Sequence, residues 1–308
     1  MIEAQDFLDR HGYGRATRTA LAGDASARRY ERLSGSPGPA ILMYCPPQIG
    51  IEAFLHVARW LHRCSLSAPR IIAADAGTGQ VLLEDLGDDL FSRVLAKGGD
   101  ERRLYEAAVD LLVFLQSCPP PEGLPAYDDA WLLREAALLP EWYAPHVPAD
   151  AYRAIWQELL PHARAGADGF VYVDYHADNL LWLPEREGNA RIGLLDFQDA
   201  RFGPPAYDLV SLLEDARRDV PGDLAQAMIR RYLAARPDLD DQAFRAAYAV
   251  LGAQRNAKIL GLFSRLARRD GKPAYLALLP RVAAHLKRDL EHPLLAPLRA
   301  WFAQHVKL

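Results

Sequence analysis

The sequence contains little cysteine: Cys45, Cys64 and Cys118 are the only three among 308 residues. An odd number without metal-site or redox spacing argues against a disulfide-stabilised fold. Long hydrophobic runs are also missing, since no stretch reaches the roughly 18 to 20 uncharged apolar residues of a membrane span. The first residues, MIEAQDFLDRHG, carry acids and no apolar core, which is not the pattern of a signal peptide. We therefore expect a cytoplasmic protein without a membrane partner.

A strong excess of charge of either sign is missing as well. The formal net charge is −4, and the arginines are interspersed with acidic residues. Such a chain has no basic surface that would attract nucleic acid, and nothing in it implies a protein partner. What is present is an ordinary globular composition, with 50% apolar and 25% charged residues. The length fits one large domain or two smaller ones.

Hydrophobic periodicity divides the chain into a β-rich first part and a helical remainder. Strands are predicted at residues 15–21, 28–33, 40–44, 70–74 and 80–84, with one helix at 51–64. Later helices are predicted at 102–116, 131–143, 151–165, 224–235, 244–267 and 275–290, interrupted by β-compatible runs at 170–173, 180–183 and 191–195. We predict an α+β fold, with a small β-rich N-lobe at 1–87, a hinge at 84–87 and a larger, mainly helical C-lobe at 88–308.

The stretch VDYHADNLLWLPEREGNARIGLLDFQDA carries the residues that point to chemistry. Asp174 and Asn179 have the D-x-x-x-x-N spacing of a kinase catalytic loop. Asn179 directly precedes one predicted strand, and Asp196 directly follows the next. An antiparallel hairpin brings two such positions to the same end. We therefore expect Asp174, Asn179 and Asp196 to lie together.

These three side chains suit phosphoryl transfer from ATP. Asp174 is the candidate base, while Asn179 and Asp196 are candidate ligands of Mg²⁺, which prefers oxygen donors. Each residue alone could equally cap a turn, as Asp and Asn commonly do. A zinc site at His176, Asp174 and Asp178 is a metal-hydrolase alternative, but no second His or Cys completes it.

The stretches VDYHADN, LLDFQDA and GPPAYDL resemble the catalytic loop, the metal-binding segment and the following segment of the aminoglycoside phosphotransferase and choline kinase group. The likeness spans nearly the whole chain. It implies a two-lobed, protein-kinase-like fold whose N-lobe is a five-stranded antiparallel sheet with one helix. It also implies ATP and Mg²⁺ as cofactors. Asp208 would be a structural aspartate of that fold, or alternatively the N-cap of a helix at 209–216.

Within this group, GDASARRY and QRNAKILGLFSRLARRDGKPAYL resemble kinases that phosphorylate the anomeric hydroxyl of N-acetylmuramate and N-acetylglucosamine recovered from peptidoglycan. The resemblance implies a small-molecule amino-sugar substrate. An aminoglycoside or amino-alcohol (choline-like) phosphotransferase is the alternative, although the basic QRNAK run does not suit cationic acceptors. A nucleotide-binding pseudokinase is the second alternative.

Three positions depart from the family pattern: Tyr172 replaces a histidine, Gln198 replaces a glycine, and Met43 or a neighbour occupies the place of a lysine that contacts the α- and β-phosphates. Another cation has to take the place of that lysine. Arg28 or Arg29, after the phosphate loop, is the candidate, and exposed strand arginines are the alternative.

The resemblance also suggests where nucleotide and acceptor bind. The loop GDASA is expected to approach the phosphates through backbone N–H groups of Gly23, Asp24 and Ser26. The hinge is expected to bind adenine through backbone groups of Glu84, Asp85 and Leu86. Candidate substrate contacts are His176, Glu135, Arg255, Asn256 and Lys258. If the acceptor carries a carboxylate, we expect Arg255 or Lys258 to meet it.

Overall fold

The computed structural model describes residues 4–21 and 27–308. Within that part of the chain the strands are β1 (Thr17–Ala20), β2 (Arg29–Ser34), β3 (Ala40–Tyr44), β4 (Ile71–Asp75), β5 (Gln80–Glu84), β6 (Gly169–Val171), β7 (Leu180–Trp182), β8 (Ile192–Leu194) and β9 (Arg201–Gly203). The α-helices are α1 (Gln5–Arg10), α2 (Glu52–Arg63), α3 (Phe91–Ala96), α4 (Glu101–Ser117), α5 (Asp129–Ala136), α6 (Ala149–Leu159), α7 (Ala206–Leu213), α8 (Gly222–Ala235), α9 (Asp241–Arg268), α10 (Leu279–Asp289) and α11 (Ala296–His305). Shorter 3₁₀ turns are Leu160–Ala163, Gly188–Arg191, Pro273–Leu278 and Pro293–Leu295, and Leu139–Tyr143 is a π-helical turn.

The chain folds into two compact units. One contains the described residues up to Gly99 together with Asp178–Asp199, and the other contains Asp100–Ala177 with Ala200–Leu308. By its contacts, the β7–β8 hairpin therefore belongs to the first unit. The lobe boundary predicted after residue 87 stays a prediction.

The first unit is built on an antiparallel sheet with the strand order β1-β2-β3-β5-β4. Strand β5 lies between β3 and β4, and its central residues Val81, Leu82 and Leu83 are all buried. A continuous apolar run suits such an interior strand better than strict alternation does. On one face of the sheet, Phe7 and Leu8 of α1 pack with residues of β2, β3 and β5. Helix α1 is additional to the one helix that the resemblance implied for residues 1–87.

The β7–β8 hairpin pairs Leu180 with Leu194 in antiparallel register. Ser67 attaches it to the chain that precedes β4: its hydroxyl donates to the carbonyl of Ala190 at 2.6 Å, and its carbonyl accepts from the N–H of Leu194 at 2.9 Å. These bonds fix the position of the hairpin, and with it the end of β7–β8 at which both Asn179 and Asp196 lie.

The second unit is centred on α9, which packs against α5, α7 and α10. Most of the 28 residues of α9 contribute to the core, so this helix is apolar around much of its circumference, as buried helices are. A short ladder between β6 and β9 pairs Gly169 with Gly203 and positions the chain that follows β6. None of the helices in the described residues has the length and apolar character to span a membrane.

Candidate active site

The candidate catalytic loop, residues 172–177, follows β6 in the second unit. Asp174 is half-buried between the buried residues Val173 and Tyr175. Val173 has φ +79°, a left-handed conformation that β-branched residues rarely adopt. The loop therefore turns sharply immediately before Asp174 and presents that side chain at the edge of a buried segment.

Asp208 holds this turn in place. Its carboxylate accepts hydrogen bonds from the backbone N–H of Tyr172 at 2.6 Å and of Val173 at 2.8 Å. Burial raises the pKa of Asp208 to about 7, the two backbone donors oppose this rise, and the charge of Asp174 adds to it. Asp208 is the third residue of α7, so the alternative of a helix N-cap is wrong, because the helix begins earlier than expected, at Ala206.

Lys258 and Glu135 form a largely buried ion pair near Asp174. Their Nζ and Oε1 atoms are 2.8 Å apart, with 14% and 15% of the side chains exposed. Burial lowers the pKa of Lys258, but attraction to Glu135, and less strongly to Tyr207 and Asp174, raises it above its ordinary value. The hydroxyl of Tyr127 donates to Glu135 Oε2 at 3.1 Å. Lys258 thus remains positively charged and is attracted to the candidate catalytic residue Asp174.

His176 lies in the same loop and is 6% exposed. An Nη atom of Arg217 approaches its Nε2 atom to 3.5 Å. Burial lowers the pKa of His176 well below its ordinary value, and the positive charges of Arg217 and Arg255 lower it further. The imidazole is consequently neutral near pH 7.

Arg255 and Asn256 of α9 take part in a buried hydrogen-bond network. Arg255 donates to the carbonyl of Glu214 and to the hydroxyl of Ser211, both at 3.1 Å. The amide of Asn256 donates to the carboxylates of Glu214 at 2.7 Å and Asp289 at 2.8 Å. Because Arg255 is 5% and Asn256 0% exposed, this placement argues against direct contact with a substrate.

In the first unit, the hairpin brings Asn179 and Asp196 to one end of β7–β8, where the carbonyl of Asn179 accepts the N–H of Leu195 at 3.0 Å. Gln198 donates from Nε2 to Asp196 Oδ1 at 2.6 Å, so the residue that replaces the family glycine orients the candidate ligand. An amide and a carboxylate supply the oxygen donors that suit Mg²⁺, with water completing its coordination. The described residues contain no group of three or more His, Cys, Asp and Glu side chains that could hold a metal, which disfavours a zinc site. That Asp174 joins these two residues stays a prediction.

The sheet distinguishes between the two candidate arginines. Tyr30 is paired with the buried Met43 across β2 and β3, and so lies on the same face of the sheet as that residue. Burial raises the pKa of Tyr30 to about 12, the negative charge of Asp196 adds to this rise, and the positive charge of Arg28 opposes it. Arg28 and Asp196 therefore both lie near Tyr30. By contrast, the guanidinium of Arg29 lies 4.8 Å from the ring centre of Tyr44, on the opposite face.

The candidate hinge residues Glu84 and Asp85 are held by arginines of the first unit. Glu84 is 2.8 Å from Arg186, and Asp85 is 2.7 Å from Arg32. Leu86 is half-buried. Because the carboxylates of Glu84 and Asp85 are engaged in these ion pairs, the predicted contact with adenine is left to backbone groups. The loop residues Gly23, Asp24 and Ser26 lie outside the described residues.

Sequence reasoning missed three residues that lie near candidate residues, Tyr30 and Gln198 in the first unit and Arg217 in the second. Tyr30 and Arg217 were not recognised, and Gln198 was treated only as a departure from a pattern. The alternation of β2 could have identified Tyr30, since it places Tyr30 on the same face as Arg28. No local signal marks Arg217, because its proximity to His176 depends on the tertiary fold.

Residues 17–248 match a family model described as the phosphotransferase enzyme family. The chain is 41% identical to the N-acetylmuramate/N-acetylglucosamine kinase of Caulobacter vibrioides, with 97% of this chain and 95% of that protein covered.

Solved structures with little sequence identity share the fold. A choline kinase from Streptococcus pneumoniae is 11% identical with a TM-score of 0.67, covering 94% of this chain and 100% of that one. An ADP-bound aminoglycoside phosphotransferase is 14% identical with a TM-score of 0.60, covering 92% and 99%. The predicted two-lobed, kinase-like α+β fold is confirmed by these likenesses.

Proposed function

The chain belongs to the phosphotransferase enzyme family, and on that premise we propose that it transfers the γ-phosphate of ATP to the anomeric hydroxyl of N-acetylmuramate and N-acetylglucosamine. The observation that carries the proposal is the 41% identity, over 97% of the chain, to a kinase named for those two sugars. The predicted family and the predicted class of enzyme, a small-molecule kinase, are confirmed.

In this proposal Asp174 orients the acceptor hydroxyl and accepts its proton. The hydroxyl oxygen bonds to the γ-phosphorus while the bond from that phosphorus to the β–γ bridging oxygen breaks, which leaves ADP. The positive charge of Lys258 near Asp174 favours the ionised carboxylate that this role requires. An anomeric hydroxyl is more acidic than other sugar hydroxyls, and a loose transition state demands little of its base, so one carboxylate is sufficient.

Asn179 and Asp196 would hold Mg²⁺, which when bound neutralises charge on the β- and γ-phosphates. The oxygen donors of this pair and the hydrogen bond from Gln198 to Asp196 support the assignment. Arg28 would supply the cation that replaces the family lysine, since Arg28 and Asp196 both act on Tyr30.

Glu135 and Lys258 are proposed to contact the acceptor sugar. Their support is their ion pair at 2.8 Å and the attraction between Lys258 and Asp174. A carboxylate and an ammonium group can respectively accept from and donate to sugar hydroxyl and acetamido groups. His176 would support the loop as a neutral imidazole rather than transfer protons.

The proposal is tested by ADP release from ATP with four acceptors: N-acetylmuramate, N-acetylglucosamine, kanamycin and choline. Asp174→Asn is the matched control, because it keeps the size of the side chain but removes the base. We expect turnover with the two sugars, and kcat lower by about a hundredfold or more in the variant with little change in nucleotide affinity.

Phosphorus NMR of the product identifies the acceptor atom. A sugar 1-phosphate that hydrolyses in mild acid supports the proposal. A 6-phosphate, turnover restricted to kanamycin or choline, or nearly normal turnover by Asp174→Asn contradicts it.

A further inference from the structure

Residues 85–88, here called the linker segment, follow β5 and belong to none of the helices and strands of the described chain. The N–H of Gly87, which has φ +85°, donates to Asp85 Oδ1 at 2.9 Å and closes a turn. Leu86 inside this turn is half-buried, and its backbone N–H and C=O groups have no hydrogen-bond partner among the described residues. Backbone groups that are partly removed from water need partners. A ligand with a donor beside an acceptor, such as an edge of adenine, supplies both.

Arg32 of β2 holds the two ends of the linker segment with one guanidinium group. Its Nε atom is 2.7 Å from Asp85 Oδ2, and its Nη2 atom donates to Asp85 Oδ1 at 3.1 Å. Its Nη1 atom donates to Asp88 Oδ2 at 2.6 Å, and Nη2 also donates to Asp88 Oδ1 at 3.1 Å. A single exposed ion pair contributes little to stability, but a planar guanidinium that contacts two carboxylates through two nitrogen atoms each fixes their relative position. Only 9% of the Asp85 side chain is exposed, so water hardly competes at that end.

The sheet places Arg32 on the face that carries Tyr30 and Met43. Tyr30 and Arg32 are two residues apart in β2, so their side chains lie on the same face. Across the strands, Tyr30 pairs with Met43 and Arg32 pairs with Ile41. Ile41 pairs in turn with Leu83, the last apolar residue of β5. The linker segment therefore continues from an apolar row of this face, and apolar walls with a few polar groups are typical of sites for small ligands.

Other contacts fix the residues on either side of the linker segment. Glu84 is 2.8 Å from Arg186, and the carbonyl of Asp89 accepts from the N–H of Trp182 at 2.8 Å. Both partners belong to the β7–β8 hairpin or to the turn that follows β7. The flanks are thus held by the hairpin, and Arg32 is the side chain that connects the segment between them to β2.

Resting on the proposed function, we infer that Arg32 is a positioning residue for the nucleotide, because it holds the linker segment so that the backbone groups of Leu86 bind adenine. In this role Arg32 contacts neither the base nor the phosphates. Its loss displaces the groups that bind the base and leaves the proposed phosphate contacts of the hairpin and Arg28 in place.

The test measures the two halves of ATP separately in Arg32→Met and wild type. Adenosine and inorganic tripolyphosphate serve as competitive inhibitors against ATP, with N-acetylglucosamine as acceptor. We expect the KM for ATP and the inhibition constant of adenosine to rise about five- to tenfold in the variant, since about one hydrogen bond to the base is lost. The inhibition constant of tripolyphosphate and kcat at saturating ATP should change less than about twofold. A general loss of folded protein cannot produce this difference, because both inhibitors bind the same folded enzyme.

Two further variants complete the test. Asp88→Asn weakens the clamp at its exposed end, where 58% of the carboxylate side chain is exposed, and the substitution leaves the core untouched. It should raise the same two constants by a smaller factor. Arg18→Met is the matched control, because Arg18 forms an ion pair of 2.6 Å with Glu31 in the same sheet and is 23% exposed, nearly as Arg32 is at 24%. Arg18 pairs with Leu33, which lies on the opposite face, so all three constants should stay within about twofold of wild type.

The outcomes separate this inference from the proposed function. Equal changes for adenosine and tripolyphosphate, or an unchanged adenosine constant in Arg32→Met and Asp88→Asn, overturn the role of Arg32 and leave the proposed function standing. Failure of adenosine to inhibit wild type overturns the inference as well, since it removes the base contact. If wild type phosphorylates neither N-acetylmuramate nor N-acetylglucosamine, it is the proposed function that fails.

Discussion

Asp196 has φ +60°, in the left-handed region where residues other than glycine are uncommon. Two contacts hold this conformation. Gln198 donates to its carboxylate, and the ring of the neighbouring Phe197 stacks on Phe54 of α2 with centroids 4.9 Å apart. Backbone strain of this kind is concentrated at ligand sites, where the surrounding structure maintains it. The conformation supports the proposed role of Asp196 in holding a metal ion.

We expect Asp196→Ala to lose Mg²⁺-dependent turnover, because the ion loses its carboxylate ligand. Titration calorimetry should also show that Mg²⁺ no longer increases the affinity for ATP. Asp199→Ala is the matched control. Asp199 is an exposed carboxylate 3.4 Å from the same Gln198 amide, but it is not a candidate ligand of the ion. An Asp196→Ala protein with the Mg²⁺ titration of wild type would show that the hairpin does not bind the ion.

Arg28 and Arg29 are adjacent, yet the structure predicts different consequences when each is replaced by alanine. Arg28→Ala should raise the KM for ATP and lower kcat, because the positive charge near Tyr30, on which Asp196 also acts, is removed. Arg29→Ala should have the smaller effect, since its guanidinium stacks on Tyr44 on the other face of the sheet. Steady-state kinetics with varied ATP distinguish the two. The reverse order of effects would contradict the assignment of Arg28.

At the scale of elements, α7 and the catalytic loop are joined by Asp208. In Asp208→Asn an amide N–H₂ group replaces one acceptor oxygen, so at least one of the N–H groups of Tyr172 and Val173 loses its partner. We expect unfolding free energy to fall by roughly 1–3 kcal/mol per unpaired buried donor, and kcat to fall at least about tenfold as Asp174 moves. Asp241→Asn, an exposed residue in the first turn of α9, serves as control. Denaturation and kinetics at wild-type level in Asp208→Asn would exclude this role.

Elements with a strong local pattern could be predicted from the sequence. Strands β3 and β5 have the predicted bounds, because apolar runs between turn-forming residues mark both ends. Short elements were missed: α1, α3, α11 and β9. Strand β9 has only three residues and pairs with β6, so tertiary contacts rather than local sequence create it. The helix predicted at 131–143 was too long, since α5 ends at Ala136 and a π-helical turn containing Pro140 follows.

The candidate site was predictable to the extent that its residues are close in sequence. The catalytic-loop spacing predicted Asp174 and Asn179, and the hairpin pattern predicted Asp196. The structure places Asn179 and Asp196 at the same end of β7–β8, while the position of Asp174 beside them stays a prediction. Contacts between distant segments gave no sequence signal. Arg217 and His176 are 41 residues apart in sequence, and only the fold brings them together.

At the scale of the molecule, α9 shows why a polar run is ambiguous. The run QRNAK suggested a substrate-binding face, but Gln254, Arg255 and Asn256 are buried and bond to neighbouring segments of the second unit. A buried network and a binding site need the same residue types, since both must satisfy polar groups away from water. Only the partners of each side chain distinguish them.

Within this network, Glu214 and Asp289 form a buried pair of carboxyl groups around the amide of Asn256. Burial raises the pKa of both, and the charge of Glu214 raises that of Asp289 further. Ionising both of two adjacent buried carboxyl groups costs much free energy, because two negative charges repel each other away from water. The pair therefore retains a proton in the folded protein. Gly252 leaves room for the Asp289 carboxyl group beside α9, because a Cβ atom there would lie 2.8 Å from Asp289 Oδ1.

This shared proton makes stability depend on pH in a defined direction. An unfolded carboxyl group loses its proton near pH 4, roughly, whereas the folded pair keeps one to higher pH. The contribution of the pair to the unfolding free energy is therefore largest below the pKa of the unfolded carboxyl group. It is lost as pH rises through the raised pKa of the folded pair. In Asp289→Asn, the amide donates to Glu214 with no proton to lose, so the unfolding free energy of the variant should fall less than that of wild type between about pH 5 and pH 8. Urea denaturation across this range measures the difference, and replacement of the exposed Asp223 by asparagine is the control. If the unfolding free energies of wild type and Asp289→Asn change in parallel with pH, both carboxyl groups are ionised in the folded state and share no proton.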